Sequence, residues 1–346
     1  MTKRILYDTI ISGKTPFKII KEITMKKFLC IVLSILTVAT VLVFAGCDSK
    51  PATLKFGAGV AVSASASDAT EEKNGSGEVD STVAVITVDA NGKVVDCKID
   101  VAQIKIAFTA DGQALATTEF RTKGEKGNDY GMSKTGKKEW FEQAAAFESV
   151  VKGKTLAEIK ALVAEGDKGV EAVQTAGCTI KIADFVKAIE KAFANLADSN
   201  ATSASTLKLG MATDQEKQQD ATAEKDGTIE IDTTIFAAAV DKDGKVVACD
   251  TDCTQIKFTF DATGKSTLPA TEVLTKRQKG NDYGMSKTGK VEWYAQADAF
   301  ETQCIGKTAA EIVKLAAEGG KGVEAVQTAG CTITVTGFTA AAAKIG

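Results

Sequence analysis

The chain has 346 residues, 44% of them hydrophobic and 25% charged, and its 42 Lys and Arg against 45 Asp and Glu give a formal net charge of −3. Nothing in that balance courts nucleic acid. Histidine is absent altogether, which removes Ser-His-Asp and Cys-His catalysis, the usual zinc ligand and the usual haem axial ligand.

Taken in chain order, Met25, Lys26 and Lys27 open an uncharged run from Phe28 to Ala45 that closes on Phe44-Ala45-Gly46-Cys47. A positive start, an apolar span and small residues before a Cys resemble a bacterial lipoprotein signal, in which the Cys is acylated and becomes the new N-terminus. The reading is therefore a tail or upstream start over 1–24, a signal peptide over 25–46, a lipid anchor on Cys47 and a tether over 47–53. An uncleaved transmembrane helix is the alternative, since the run approaches the roughly 20 apolar residues that a bilayer span needs. Cleavage leaves a more acidic chain, long enough for two domains.

Thr82 to Val88 is rich in Val and Ile, Asn91-Gly92 makes a turn, and Val95, Cys97, Ile99 and Val101 alternate with polar residues. This predicts a hairpin. Ile104, Ile106 and Phe108 then predict a third strand, giving an antiparallel sheet with one buried face. The polar stretches Ser63 to Ser81 and Thr213 to Gly227 read as loops. The period then becomes helical: Trp140, Ala144, Phe147 and Val151 share a face, and Thr155 with Glu158 forms a capping box that Thr308 and Glu311 repeat. Gly166 and Gly319 read as helix ends, and Asp184 as the N-cap of a last helix carrying Phe185, Ile189 and Phe193.

Two blocks occur twice. Lys126 to Lys137 (KGNDYGMSKTGK) returns as Lys279 to Lys290, and Lys168 to Ile180 (KGVEAVQTAGCTI) returns as Lys321 to Ile333. The fold class is α+β, in two tandem homologous domains, each an antiparallel sheet packed with about three helices. The first covers 54–197 and the second 207–346. The Ser, Ala and Thr-rich stretch between them, 198–206, reads as a linker.

Within the second block, Ala176-Gly177-Cys178-Thr179 and Ala329-Gly330-Cys331-Thr332 present a hydroxyl after small residues, where another enzyme can approach the backbone. This text resembles the attachment sequence of FMN-binding domains, in which a flavin transferase joins FMN through its phosphate to a Thr. Gly177 and Thr179 match that pattern, whereas Ala176 and Cys178 depart from it. The V-D-A-N-G-K-V-V hairpin, the N-D-Y-G-M loop, the Trp-bearing helix, the G-K-T helix start and the late C-T-I extend the likeness to the flavinylated surface lipoproteins of Gram-positive extracellular electron transfer.

That resemblance implies a lipid-anchored extracytoplasmic electron carrier, not a catalyst, with covalent FMN on Thr179 and Thr332. Its implied partners are a flavin transferase, a membrane quinone-linked dehydrogenase as donor, and free flavin or ferric iron as acceptor. Tyr130, Met132 and Trp140, with Tyr283, Met285 and Trp293, are candidates to lie against the ring, and Lys134 and Lys287 to meet the phosphate. The plainer reading makes Gly177 a helix C′ residue, Cys178 a small buried hydrophobe and Thr179 the start of a strand. Cys97 with Cys178 and Cys249 with Cys331 sit at equivalent places and fit either disulfides or buried thiols, while Cys253 and Cys304 have no counterparts in the first repeat, where Val101 and Val151 stand, and fit an extra bridge or free thiols. A cofactor-free surface binding or adhesion lipoprotein is the alternative function.

Overall fold

The computed structural model of the chain describes residues 51–267 and 273–346. The expected tail, signal peptide and acylated Cys47 lie outside the described residues. Residues 52–346 form one compact unit. The first repeat contributes strands β1 (Thr53–Ser67), β2 (Gly75–Val88) and β3 (Val94–Phe108), and short strands β4 (Ala114–Leu115) and β5 (Ala197–Thr202), in an antiparallel sheet of order β4-β3-β2-β1-β5. The second contributes β6 (Thr206–Gln219), β7 (Gly227–Val240), β8 (Val246–Phe260) and β9 (Ser266–Thr267), ordered β6-β7-β8-β9. Helices α1 (Lys123–Lys126), α2 (Trp140–Val151), α3 (Leu156–Lys160), α4 (Glu171–Ala176) and α5 (Ala183–Ala194) complete the first repeat. Their counterparts are α6 (Lys276–Lys279), α7 (Trp293–Cys304), α8 (Ala309–Val313), α9 (Glu324–Thr328) and α10 (Thr336–Ala343). The α+β class and the doubled sheet-plus-helix plan are as expected.

Local chemistry explains the elements that the sequence marks most clearly. At the Asn91-Gly92 turn, Asp89 Oδ1 accepts from the N–H groups of Asn91 and Lys93, both at 2.9 Å, and Gly92 takes φ 74°. A side chain would be strained there. Thr155 and Glu158 cap α3 reciprocally, and Thr308 and Glu311 cap α8 in the same way. The last helix of the first repeat begins two residues earlier than expected, at Ala183, with Ile182 as its N-cap and Asp184 in the first turn.

Four expectations change because each sheet is covered on two sides. On β2, Ala84, Ile86 and Val88 pack under the helices of their own repeat, while Val83 and Val85 meet residues of the second sheet, and all five are at most 1% exposed. Two faces are buried, not one. The expected second and third strands are one continuous β3: Cys97, Ile99 and Val101 face the helices, then Ala102, Ile104, Ile106 and Phe108 face the other sheet. No turn residue separates them; only the covered side changes.

The supposed loops 63–81 and 213–227 extend the long hairpins instead. Ser63, Ser65 and Ser67 are exposed and alternate with half-buried Ala64 and Ala66, a period of two concealed by polar composition. Likewise the stretch read as a linker includes β5, which pairs with β1 through Phe56 and Ala197, and Ser199 donates to Leu54 O at 2.7 Å.

The contact between the repeats is reciprocal. Ala69 N–H donates to Gly264 O at 2.8 Å and Ala221 N–H to Gly112 O at 2.7 Å; Asp68 accepts from Ser266 N–H and Asp220 from Ala114 N–H. At the centre, Phe108 and Phe260 stack at 4.4 Å with planes 4° apart.

Candidate functional site

Each repeated KGVEAVQTAGCTI block folds as a short helix, a glycine stop and an exposed threonine. α4 stops where Gly177 takes φ 109°, and Gly330 takes φ 112° after α9. Cys178 N–H returns to Val173 O at 3.2 Å and Cys331 N–H to Val326 O at 3.1 Å, so the chain turns back and buries each thiol completely. Burial pushes both thiols up to about 11. At neutral pH they are neutral packing groups, not nucleophiles.

Thr179 and Thr332 follow in the open, held by one side chain that the sequence reading missed. Gln143 Oε1 accepts from Thr179 N–H at 2.8 Å and from its hydroxyl at 3.0 Å, and Gln296 does the same for Thr332 at the same distances. The amide orientation is set from behind, because Gln143 Nε2 donates to Lys138 O and Gln296 Nε2 to Val291 O. A carboxamide cannot take a proton, so the hydroxyl is positioned but not activated. Any enzyme that modifies it must supply the base. The available signal was a polar Gln three residues after Trp, on the buried face of α2 and of α7.

In the second repeat Thr332 borders a cavity of about 550 Å³ that is also lined by Tyr283, Met285, Trp293 and Phe338. Four of the residues singled out from the sequence thus converge. Trp293 is 5% exposed and meets Phe338 edge-on at 5.6 Å, so it belongs to the core and to the cavity wall together. The equivalent cavity of the first repeat, about 250 Å³, is lined by Tyr130, Met132, Trp140 and Phe185; Ile180 and Lys181 border it, and Thr179 does not. Asp184 occupies part of its wall where the second repeat has Gly337.

Lys134 and Lys287 line neither cavity. Both sit exposed in a 3-10 turn bracketed by left-handed glycines, with the side chain folded back towards Gly131 or Gly284. The cations that do line the second cavity are Lys276, Lys290 and Lys321, and Lys321 Nζ donates to Thr332 O at 2.6 Å. In the first, they are Lys123 and Lys181. The loop itself is pinned by Glu139, whose carboxylate accepts from Met132 and Ser133 N–H, each at 3.0 Å; Glu292 repeats this on Met285 and Ser286.

On the sheet side of each cavity lies an ion pair, more deeply buried in the second repeat than in the first. Lys276 Nζ is 2.9 Å from Asp232 Oδ2, and Lys123 Nζ is 3.3 Å from Asp80 Oδ1. Burial pushes the Asp80 carboxyl up against the pull of Lys123. Burial also pushes Cys253, beside Asp232, up to about 12. The lysines lie over the tyrosines, Lys123 at 5.7 Å from the Tyr130 ring and Lys276 at 5.8 Å from that of Tyr283.

The six cysteines in the described residues are all free. Neither Cys97 with Cys178 nor Cys249 with Cys331 is bridged; Cys249 Sγ donates to Glu301 O at 3.7 Å and Cys304 Sγ to Phe300 O at 3.4 Å. Among the described residues no cluster of His, Cys, Asp and Glu is arranged to hold a metal ion, and no helix is long and apolar enough to cross a membrane.

No family model matches the chain, and no solved structure matches it. Over 126 residues it is 31% identical to a chlorophenol reductase of Desulfitobacterium hafniense, a match that covers 32% of this chain and 38% of that protein. The chain therefore spans less than half of the relative.

Proposed function

We propose that the protein is a membrane-anchored extracytoplasmic electron carrier with FMN joined covalently to Thr332 and Thr179. The observation that carries this reading is the exposed Thr332 hydroxyl at the edge of a cavity walled by Tyr283, Met285, Trp293 and Phe338. Its volume of about 550 Å³ lies within the usual range for small-molecule sites. The partial relative is a reductase, which is consistent with redox work.

FMN would supply reversible electron uptake; the protein's part is to hold and surround it. In this reading Gln296 presents the Thr332 hydroxyl, and Lys321 and Lys290 neutralise the phosphate. Tyr283, Met285, Trp293 and Phe338 exclude water from one side of the ring. A covalent link keeps the carrier loaded where free flavin is scarce, because occupancy by contacts alone falls with ligand concentration. Acylation of Cys47 would keep it at the membrane, between a quinone-linked dehydrogenase and an acceptor such as free flavin or ferric iron.

The test is co-expression with a flavin transferase followed by intact mass measurement. Two FMN phosphoesters are expected, with Thr332→Ala and Thr179→Ala each losing one. Colourless protein of unmodified mass would overturn the reading and favour a cofactor-free binding or adhesion lipoprotein.

A further inference from the structure

The cavity of the second repeat has two chemically different ends. Lys321, hydrogen-bonded to the carbonyl of Thr332, makes the end at Thr332 cationic, and Lys290 also lines the cavity. On the sheet side, Asp214, Glu216 and Asp232 outnumber Lys276. Asp232 is 6% exposed, and its Oδ2 is engaged by Lys276 at 2.9 Å and Gln255 at 3.1 Å. Its Oδ1 is buried without any hydrogen-bond partner. An orphaned buried carboxylate oxygen costs stability, and the pair that contains it is a weak source of stability in return. An Asp–Lys pair nevertheless occurs twice: Asp80 and Lys123 stand at the same places, although there the lysine faces Oδ1, at 3.3 Å. The pair persists although its surroundings differ, with Val101 for Cys253 and Ser63 for Asp214.

A carboxylate oxygen needing a donor, beside an ammonium that can also give one, complements a heterocycle edge in which an N–H adjoins a carbonyl. The pyrimidine edge of an isoalloxazine has that pattern at N3–H and its flanking carbonyls. Resting on the flavin reading above, we propose that Asp232 and Lys276 recognise this edge, Asp232 Oδ1 accepting from N3–H and Lys276 donating to a neighbouring carbonyl. The ring is thereby oriented with its polar edge on the sheet and its phosphate-bearing chain towards Thr332.

The experiment titrates full-length protein, purified without a flavin transferase, with lumiflavin and with 3-methyl-lumiflavin, following quenching of flavin fluorescence. Methylation removes the N3 donor without touching the protein, so folding is not at issue. Loss of a charge-assisted hydrogen bond predicts binding weaker by about tenfold or more for the methylated ring. In Asp232→Leu/Lys276→Met, which leaves no unpaired charge, the two flavins should bind within about twofold of each other. Equal affinities for the unaltered protein overturn the assignment while the flavin cavity stands. Undetectable lumiflavin binding alongside an adduct at Thr332 also overturns it alone, whereas neither binding nor adduct overturns both.

Discussion

Phe108→Ala tests whether the two repeats are one folding unit. Phe108 is 1% exposed, Phe260 0%, and their rings stack at 4.4 Å between the sheets. Gly75 lies directly against the Phe108 ring, and Gly227 against that of Phe260, so backbone borders the space that truncation would leave. Such a wall collapses poorly, which places the cost near the upper part of the about 3–5 kcal/mol range for Phe→Ala in cores. A unit of this size should lose on the order of 10 °C in Tm. The sequence supplies the assay, since its two tryptophans fall one in each repeat, Trp140 and Trp293. In Trp293→Phe and Trp140→Phe backgrounds, fluorescence melting reports the first and second repeat separately. If the shared core couples them, Phe108→Ala lowers both midpoints together. A fall confined to the Trp140 signal, with the Trp293 transition unmoved, would refute the shared core and restore two independent domains.

Gln296→Leu should lower flavin transfer to Thr332 in the mass assay, and losing its hydrogen bond to the Thr332 N–H should cost about 0.5–1.5 kcal/mol in denaturant unfolding; unchanged modification would remove the presenting role of Gln296. Asp250 and Glu301, grouped around Arg277, are pushed up by burial to about 7 and about 8 respectively. Folded carboxyls that hold protons above their unfolded range near 4 stabilise fully at low pH and lose that contribution as pH rises through 7 and 8. Urea unfolding should therefore show lower stability at pH 9 than at pH 6, with a smaller difference in Glu301→Gln; a flat profile would sink this. Modification should also be unequal, reaching Thr332 before Thr179 in a time course, and Gly337→Asp should slow the second site towards the first by narrowing its cavity.

What the sequence made legible was local. The Asn91-Gly92 turn and the Thr155/Glu158 and Thr308/Glu311 caps are settled by residues within a few positions of one another, and each formed as read. Tyr283, Met285 and Thr332 could be picked out because their text was duplicated, and Trp293 because its helix has a regular period, and they do share one cavity. The Asp232–Lys276 pair escaped notice because 44 positions separate its members, and neither stands out from the charged residues around it. The strand in Ser63 to Ser67 was hidden because small and polar residues suffice where an edge meets water on one side. Burial of a second sheet face was invisible for a different reason: its partner is the other repeat, and single-repeat periodicity does not reveal what lies across it.

The matched pair of hydrogen bonds, Ala69 to Gly264 and Ala221 to Gly112, is the pattern expected when identical subunits meet about a two-fold axis. A lone copy would expose Ile104, Ile106 and Phe108 as a sticky surface. Fusion into a single polypeptide frees the halves from identity: an ancestral homodimer must carry every substitution twice, whereas a joined one can enlarge one chamber, as Gly337 does, and leave its twin narrow.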